Sequence, residues 1–366
     1  MTYLDHGATS FHKPQAVFRA MTDAVRCCAN PSRGGYAAAM EAARRVYRCR
    51  ERAGKLFDCQ PEQVVFTSNC THALNIAICS LVKPDSRVVI SGFEHNAVVR
   101  PLHMLGAKVS VAGRRLFDWE NTLEEFEKAL RHGADAAVIT HVSNVFGYIL
   151  PMEELAKMCR RYGVPFIVDA AQSAGVLPVS LEKWQADFIA MPGHKGLLGP
   201  QGTGLLLCGS VPKPLLAGGT GSDSRNPGMP EELPDRVEAG TLNVPGIAGL
   251  SEGIAYVSHL GTKEIFRREH SAAMRSVETL REFGVRVFAG EHQAGTVSFV
   301  PEMDVEELAQ RLGQQGIAVR AGLHCAPLAH ESAGTLDTGT VRISFGPEST
   351  HCDVIRFQKI LEKCMG

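Results

Sequence analysis

Between Pro14 and Val211 the chain alternates two hydrophobic patterns. One is a set of short apolar runs rich in Val and Ile: "QVVFT", "RVVIS", "KVSVAG", "AAVITHVS", "PFIVDAA", "DFIAMPG" and "GTGLLLC". Runs this short, apolar throughout rather than at every second position, predict strands covered on both faces. The other pattern spaces apolar residues three and four apart, as in "TLEEFEKALRHG" and "MEELAKMCRRYG", and predicts amphipathic helices closed by Gly133 and Gly163. Alternation of the two predicts a mostly parallel seven-stranded sheet wrapped by helices, an α/β fold.

Residues 212–247 break the rhythm, being dense in Gly and Pro, and predict a long functional loop. A helical stretch from Ile247 to Phe283 follows, then "TVSFVP", the helical "DVEELAQRLGQQG", the strand "TVRISFG" and a last helix from Cys352. This divides the chain into a large domain over 14–246 and a smaller α+β domain over 247–366, to which residues 1–13 are added. A length of 366 residues fits two unequal domains better than one core.

Composition narrows the function. The 38 Lys and Arg nearly balance 39 Asp and Glu, and no basic stripe offers a nucleic-acid surface. No stretch approaches the about 20 apolar residues of a membrane span, and the start of the chain has no leader pattern, so a soluble cytoplasmic protein is expected. The 11 cysteines lack disulfide-framework or zinc spacing, so most are expected to be small core residues and no metal site is expected.

In such sheets ligands gather beyond the C-terminal ends of the strands. "PFIVDAAQ" delivers Asp169 there, with Gln172 close by, and a carboxylate leaving an apolar strand needs a cationic partner such as a protonated pyridine nitrogen. The next strand runs into "MPGHKGLLGPQGTG", whose Lys195 follows His194 in a glycine-rich bend, where an amine losing its proton could form a Schiff base. "FTSNCTHALNIAI" turns at Asn69 and Cys70 and opens a helix at Thr71, a ready anion site. His95 follows another strand end. Each alone has an ordinary structural explanation, and their conjunction carries the weight.

With these residues in view, the chain resembles the pyridoxal-phosphate enzymes of fold-type I in the class-V aminotransferase group, and within it the cysteine desulfurases of the SUF type. The resemblance runs from "YLDHGAT" to "TVRISFG" and is carried by "HVSNVFG", "VDAAQ", "GHKGLLGPQGTG", "EAGTLNVPG" and "RAGLHCA". It implies pyridoxal 5'-phosphate on Lys195, with Asp169 at the ring nitrogen, Gln172 at the ring oxygen and His95 stacked on the ring. Thr71, His194 and, from the other subunit of a homodimer, Thr241 would hold the phosphate, with Cys70 also among the cofactor-binding residues. Asn144 and Arg342 would orient the substrate carboxylate, and Arg320 would line the entrance.

The implied chemistry is conversion of L-cysteine to L-alanine, with the sulfur passed to Cys325 as a persulfide and then to an acceptor protein. Selenocysteine lyase, aminotransferase and epimerase activities are the alternatives on this scaffold. Cys352 competes with Cys325: both follow a histidine, and Cys352 opens a helix whose dipole favours a thiolate. "VRAGLHCAPLAH" reads as a mobile loop, with His324 as a neighbouring base. Pro192, Asn69, Cys70 and Tyr36 depart from the family pattern.

Overall fold

The computed structural model describes residues 1–31, 34–222 and 225–365; Ser32 and Arg33, which lead to Tyr36, lie outside the described residues. The chain opens with β1 (Thr2–Tyr3), α1 (Gln15–Cys27) and α2 (Ala37–Phe57). Then come β2 (Val64–Thr67), α3 (Cys70–Leu81), β3 (Arg87–Ser91), α4 (Asn96–Met104), β4 (Lys108–Ala112) and α5 (Trp119–Arg131). The alternation continues through β5 (Ala136–Thr140), α6 (Met152–Tyr162), β6 (Phe166–Asp169), α7 (Leu181–Trp184), β7 (Phe188–Pro192) and β8 (Gly204–Cys208).

All seven apolar runs form strands, and all seven lie in one sheet of order β2-β8-β7-β6-β5-β3-β4. Only β8 runs antiparallel to its neighbours. Successive residues point to opposite faces, so Val88 and Ile90 enter the core under α3 and α4, while Val89 enters the core under α5 and α6. Both faces of the inner strands are dry, which is why they read as continuous apolar runs, whereas the edge strand β4, expected to be covered on both faces, exposes Lys108, Val109 and Ser110.

Beyond the loop lie α8 (Val244–Leu260), α9 (Thr262–Glu282), β9 (Arg286–Phe288), β10 (Thr296–Val300), α10 (Val305–Gln314) and β11 (Ile317–Ala318). β12 (Arg320–Gly322), α11 (Pro327–Ala333), β13 (Thr340–Ser344) and α12 (His351–Met365) complete the chain. β12-β13-β10-β9 form an antiparallel sheet backed by α9, α10 and α12 around Val277, Phe299, Leu308, Val341 and Phe357.

The helical run expected to be continuous from Ile247 to Phe283 is two helices, broken at Gly261, whose φ of 83° favours glycine. Position 247 falls inside α8, and α8 buries Ile247, Leu250 and Ile254 in the first core beside α1 and α2. The N-terminal segment straps both parts together. β1 pairs with β11, while Thr9, Ser10 and Lys13 all donate to the carbonyl of His194.

Candidate active site

Five strand ends meet a cavity of about 240 Å³ at the C-terminal edge of the large sheet. Of the expected residues, Cys70, Thr71, His95, Asn144, Asp169, Gln172, His194, Lys195, Arg320, Cys325 and Arg342 all line it. Thr241 does not; in this chain it is exposed. A wider groove of about 810 Å³, lined by Glu51, Asp58, Glu182 and Asp187, lies where β7 starts, at the opposite edge of the sheet. That edge is not where α/β sheets place ligands.

β6 ends at Asp169, 2% exposed, whose Oδ1 accepts from the Ala171 amide at 2.9 Å and from the Cys70 thiol at 3.6 Å. No protein donor among the described residues reaches Oδ2. Burial raises the Asp169 pKa, against the Ala171 amide and Lys195, which lower it. Lys195 follows β7 in a bend closed by Leu198 N–H on the Lys195 carbonyl at 2.9 Å. Gly196 there lies so close to the Ala174 carbonyl that any side chain would collide. The Lys195 amine makes no hydrogen bond among the described residues, and burial, then Arg342, push its pKa down to about 8. It is a desolvated group that gives up its proton more readily than an exposed lysine.

The end of β3 presents Glu94 and His95. Glu94 is fully buried, and its Oε1 takes Ser91 Oγ–H at 2.5 Å and the Thr140 amide at 2.8 Å, tying β3 to β5 one strand from Asp169. His95 caps α4: its Nδ1 accepts the Ala97 amide at 3.0 Å, so the neutral ring carries its proton on Nε2. Burial, then Lys195, push its pKa down to about 4, and the ring acts as a donor. α3 points its first turn at the cavity, with Asn69 Oδ1 capping His72 N–H at 2.9 Å. His194 turns Nδ1 to Thr9 Oγ1 at 3.0 Å, and Gln172 Nε2 donates to the Gly7 carbonyl at 2.9 Å.

The small sheet contributes Arg342, 1% exposed on β13. Its Nη2 donates to Asp5 Oδ1 at 2.7 Å and its Nη1 to the Asn144 carbonyl at 2.9 Å, while Nε is buried without a partner. A buried, unpaired guanidinium N–H is costly unless an acceptor arrives, and a carboxylate supplies one. Asp5, with no local sequence signal, is the member of the site that the sequence reading misses.

The loop carrying Cys325 differs from expectation. His324 and Cys325 are successive non-glycine residues with φ of 49° and 58°, and their carbonyls are pinned by Asn144 Nδ2 and by the Asn96 amide, each at 2.8 Å. Two hydrogen bonds from elsewhere in the chain thus anchor the loop in this geometry. His324 is turned inward, its Nε2 3.2 Å from the Thr340 carbonyl; burial pushes its pKa down to about 2, and no hydrogen bond joins it to Cys325. Of the thiols, five are buried and three half-buried, and Cys27, Cys325 and Cys352 are exposed. Cys352 sits on α12, outside the cavity.

The sequence pattern of the Aminotransferase class-V family matches residues 2–357. The chain belongs to the class-V aminotransferase family. It is 33% identical to a probable cysteine desulfurase of Pyrococcus abyssi, over 99% of this chain and 93% of the relative. The apo structure of a cysteine desulfurase from Thermococcus onnurineus superposes with a TM-score of 0.91 at 32% identity, over 99% of this chain and 94% of that one. The cysteine desulfurase CsdA of Escherichia coli gives 0.88 at 25% identity, over 100% and 94%.

Pyridoxal 5'-phosphate is the cofactor of class-V aminotransferases, and the cavity fits it. It joins a free amine, an unshared carboxylate oxygen and the first turn of a 12-residue helix, whose leading amides have no intrahelical acceptor. Among the described residues no group of three or more His, Cys, Asp or Glu could hold a metal ion, and no helix is long and apolar enough to cross a membrane.

The enclosed titratable groups set a pH dependence for the cofactor-free protein. Burial holds His6, His95, His194 and His330 at about 4, His141 at about 3 and His324 at about 2, below the ordinary 6.5. Unfolding lets them take up protons, so stability rises with pH up to about 6.5. Glu94 and Glu269, pushed up to about 8 from 4.5 by burial, release protons on unfolding and make stability fall toward pH 8. The lowered imidazoles, His72 among them, outnumber the raised carboxyls, Asp169 and Glu238 among them, so urea midpoints should peak near pH 6.5; a steady rise to pH 8 would contradict this.

Proposed function

We propose that the protein is a cysteine desulfurase: it converts L-cysteine to L-alanine and takes the sulfur onto Cys325 as a persulfide. The observation that carries this reading is that an exposed thiol, Cys325, borders the same cavity as Lys195 and as Arg342, whose Nε–H is buried without a partner. Membership of the family and the named relatives support it.

Lys195, Asp169, Gln172, His95, Cys70, Thr71 and His194 would hold the cofactor. When bound, pyridoxal phosphate supplies the electron sink for the pair released at the substrate α-carbon. Arg342 takes the substrate carboxylate on its free Nε–H, with Arg320 nearby and with the second amide hydrogen of Asn144. Lys195 Nζ carries the proton leaving the α-carbon. Cys325 Sγ, as thiolate, attacks the substrate sulfur: an S–S bond forms, the Cβ–S bond breaks, and a proton delivered to Cβ completes the methyl group of alanine. His95, neutral, donates from Nε2.

The persulfide then sits at an exposed position beside Leu323, itself 39% exposed, where an acceptor protein can reach it. Thr241 is exposed at the end of the 212–240 loop, and it would serve the neighbouring site of a homodimer. The test is to offer L-cysteine and L-selenocysteine to the wild type and to Cys325→Ala. Alanine from L-cysteine should vanish in the variant while bound cofactor persists. Undiminished alanine would reject the reading, and loss confined to sulfur would show that the thiol serves sulfur and not selenium.

A further inference from the structure

Cys70 opens α3 with its thiol turned to the end of β6, where its S–H donates to Asp169 Oδ1 at 3.6 Å. The same oxygen takes the Ala171 amide at 2.9 Å, which leaves Oδ2 to the cavity. Thiol and carboxyl are 9% and 2% exposed. Lys195, from the bend after β7, and Glu94, from the turn after β3, are the other ionisable groups facing this carboxyl. Cys70 is no second nucleophile: burial and the Asp169 charge raise its pKa well above the ordinary thiol value, so it keeps its proton. A thiol is a weak donor, and it can fix a carboxylate's orientation while withdrawing less charge than a hydroxyl would.

We propose that Cys70 is a positioning residue acting through Asp169: its S–H fixes which carboxylate oxygen faces the cofactor ring and keeps that oxygen a strong acceptor. This rests on the reading of the cavity as a pyridoxal-phosphate site. It also gives the two thiols of the cavity separate tasks, Cys70 at the wall toward the ring and Cys325 at the rim toward the acceptor.

Donor strength and side-chain volume can be separated by three variants of the holoenzyme. Cys70→Ala removes the donor, Cys70→Ser supplies a stronger one in a smaller side chain, and Cys70→Thr supplies a hydroxyl at nearly the original bulk. The readout is the pH midpoint of ring-nitrogen protonation, followed by nitrogen NMR of the bound, isotopically labelled cofactor. A stronger donor weakens the hold of Asp169 on the ring proton. Ser and Thr should therefore lower the midpoint, and Ala should raise it, each by about half a pH unit, or about threefold in proton affinity. The proposal is overturned if Ala and Ser move together while Thr matches the wild type, since volume alone gives that grouping. Absence of cofactor absorption in the wild type would instead reject the reading of the cavity, and the role of Cys70 with it.

Discussion

Lys195→Ala is expected to lower alanine formation from L-cysteine by about 10³-fold or more while leaving the fold intact. Among the described residues Lys195 is the one amine lining the cavity. His95 has its Nδ1 committed to the Ala97 amide, and Asp169 has Oδ1 held by the Ala171 amide and the Cys70 thiol. Burial and Arg342 already hold the amine near a pKa of about 8, so proton transfer at neutral pH needs little further adjustment. Lys195→Arg should be equally inactive, because a guanidinium does not give up its proton in a protein. Small exogenous amines should restore part of the rate to Lys195→Ala but none to Cys325→Ala. Activity within tenfold of wild type in either Lys195 variant would contradict the assignment.

Glu238→Ala is expected to destabilise the protein by about 3–5 kcal/mol, the cost of leaving a buried charge without its partner. Glu238 Oε2 meets Arg50 Nη2 at 2.6 Å, and its Oε1 takes the Phe66 amide at 2.6 Å. The Arg50 guanidinium also lies 4.5 Å above the Phe66 ring and donates to the Val64 carbonyl. The group thus ties α2 to β2, the strand that leads into Cys70 and Thr71, and to the segment three residues before Thr241. Pairing Arg50→Met with Glu238→Leu should recover much of the loss, because neither charge is then stranded. Urea midpoints of the two single variants and the double variant measure this; a loss below about 1 kcal/mol in Glu238→Ala would show that water reaches Arg50.

The sheet is legible in the sequence because all its strands but the exposed edge strand β4 are buried on both faces, so they declare themselves as apolar runs without help from distant residues. The polar strand ends are legible for the same reason: Asp169 and His95 stand out against apolar neighbours. What depends on tertiary contact is not. Asp5 holds Arg342 across 337 positions, and no periodicity joins them. Gly322 and Pro327 around Cys325 read as a flexible loop, yet Asn144 and the Asn96 amide clamp it from elsewhere in the chain. His324 reads as a base beside the thiol, but its side chain turns to Thr340. The break at Gly261 did have a local signal, a glycine before Thr262, and the continuous helical pattern on either side concealed it.

The choice of thiol was equally beyond local reading, since Cys352 has a helix N-terminus and Cys325 has none. Placement favours Cys325, because of these two thiols it borders the cavity and Cys352 does not. The most direct measurement is therefore to locate the sulfur. Wild-type protein loaded with pyridoxal phosphate is given L-cysteine without reductant, quenched with an alkylating agent, digested and read by mass spectrometry. One additional sulfur atom on the peptide containing Cys325, matched by one alanine released, is the expected result; the added sulfur on Cys352 or another thiol, or alanine without bound sulfur, would contradict it.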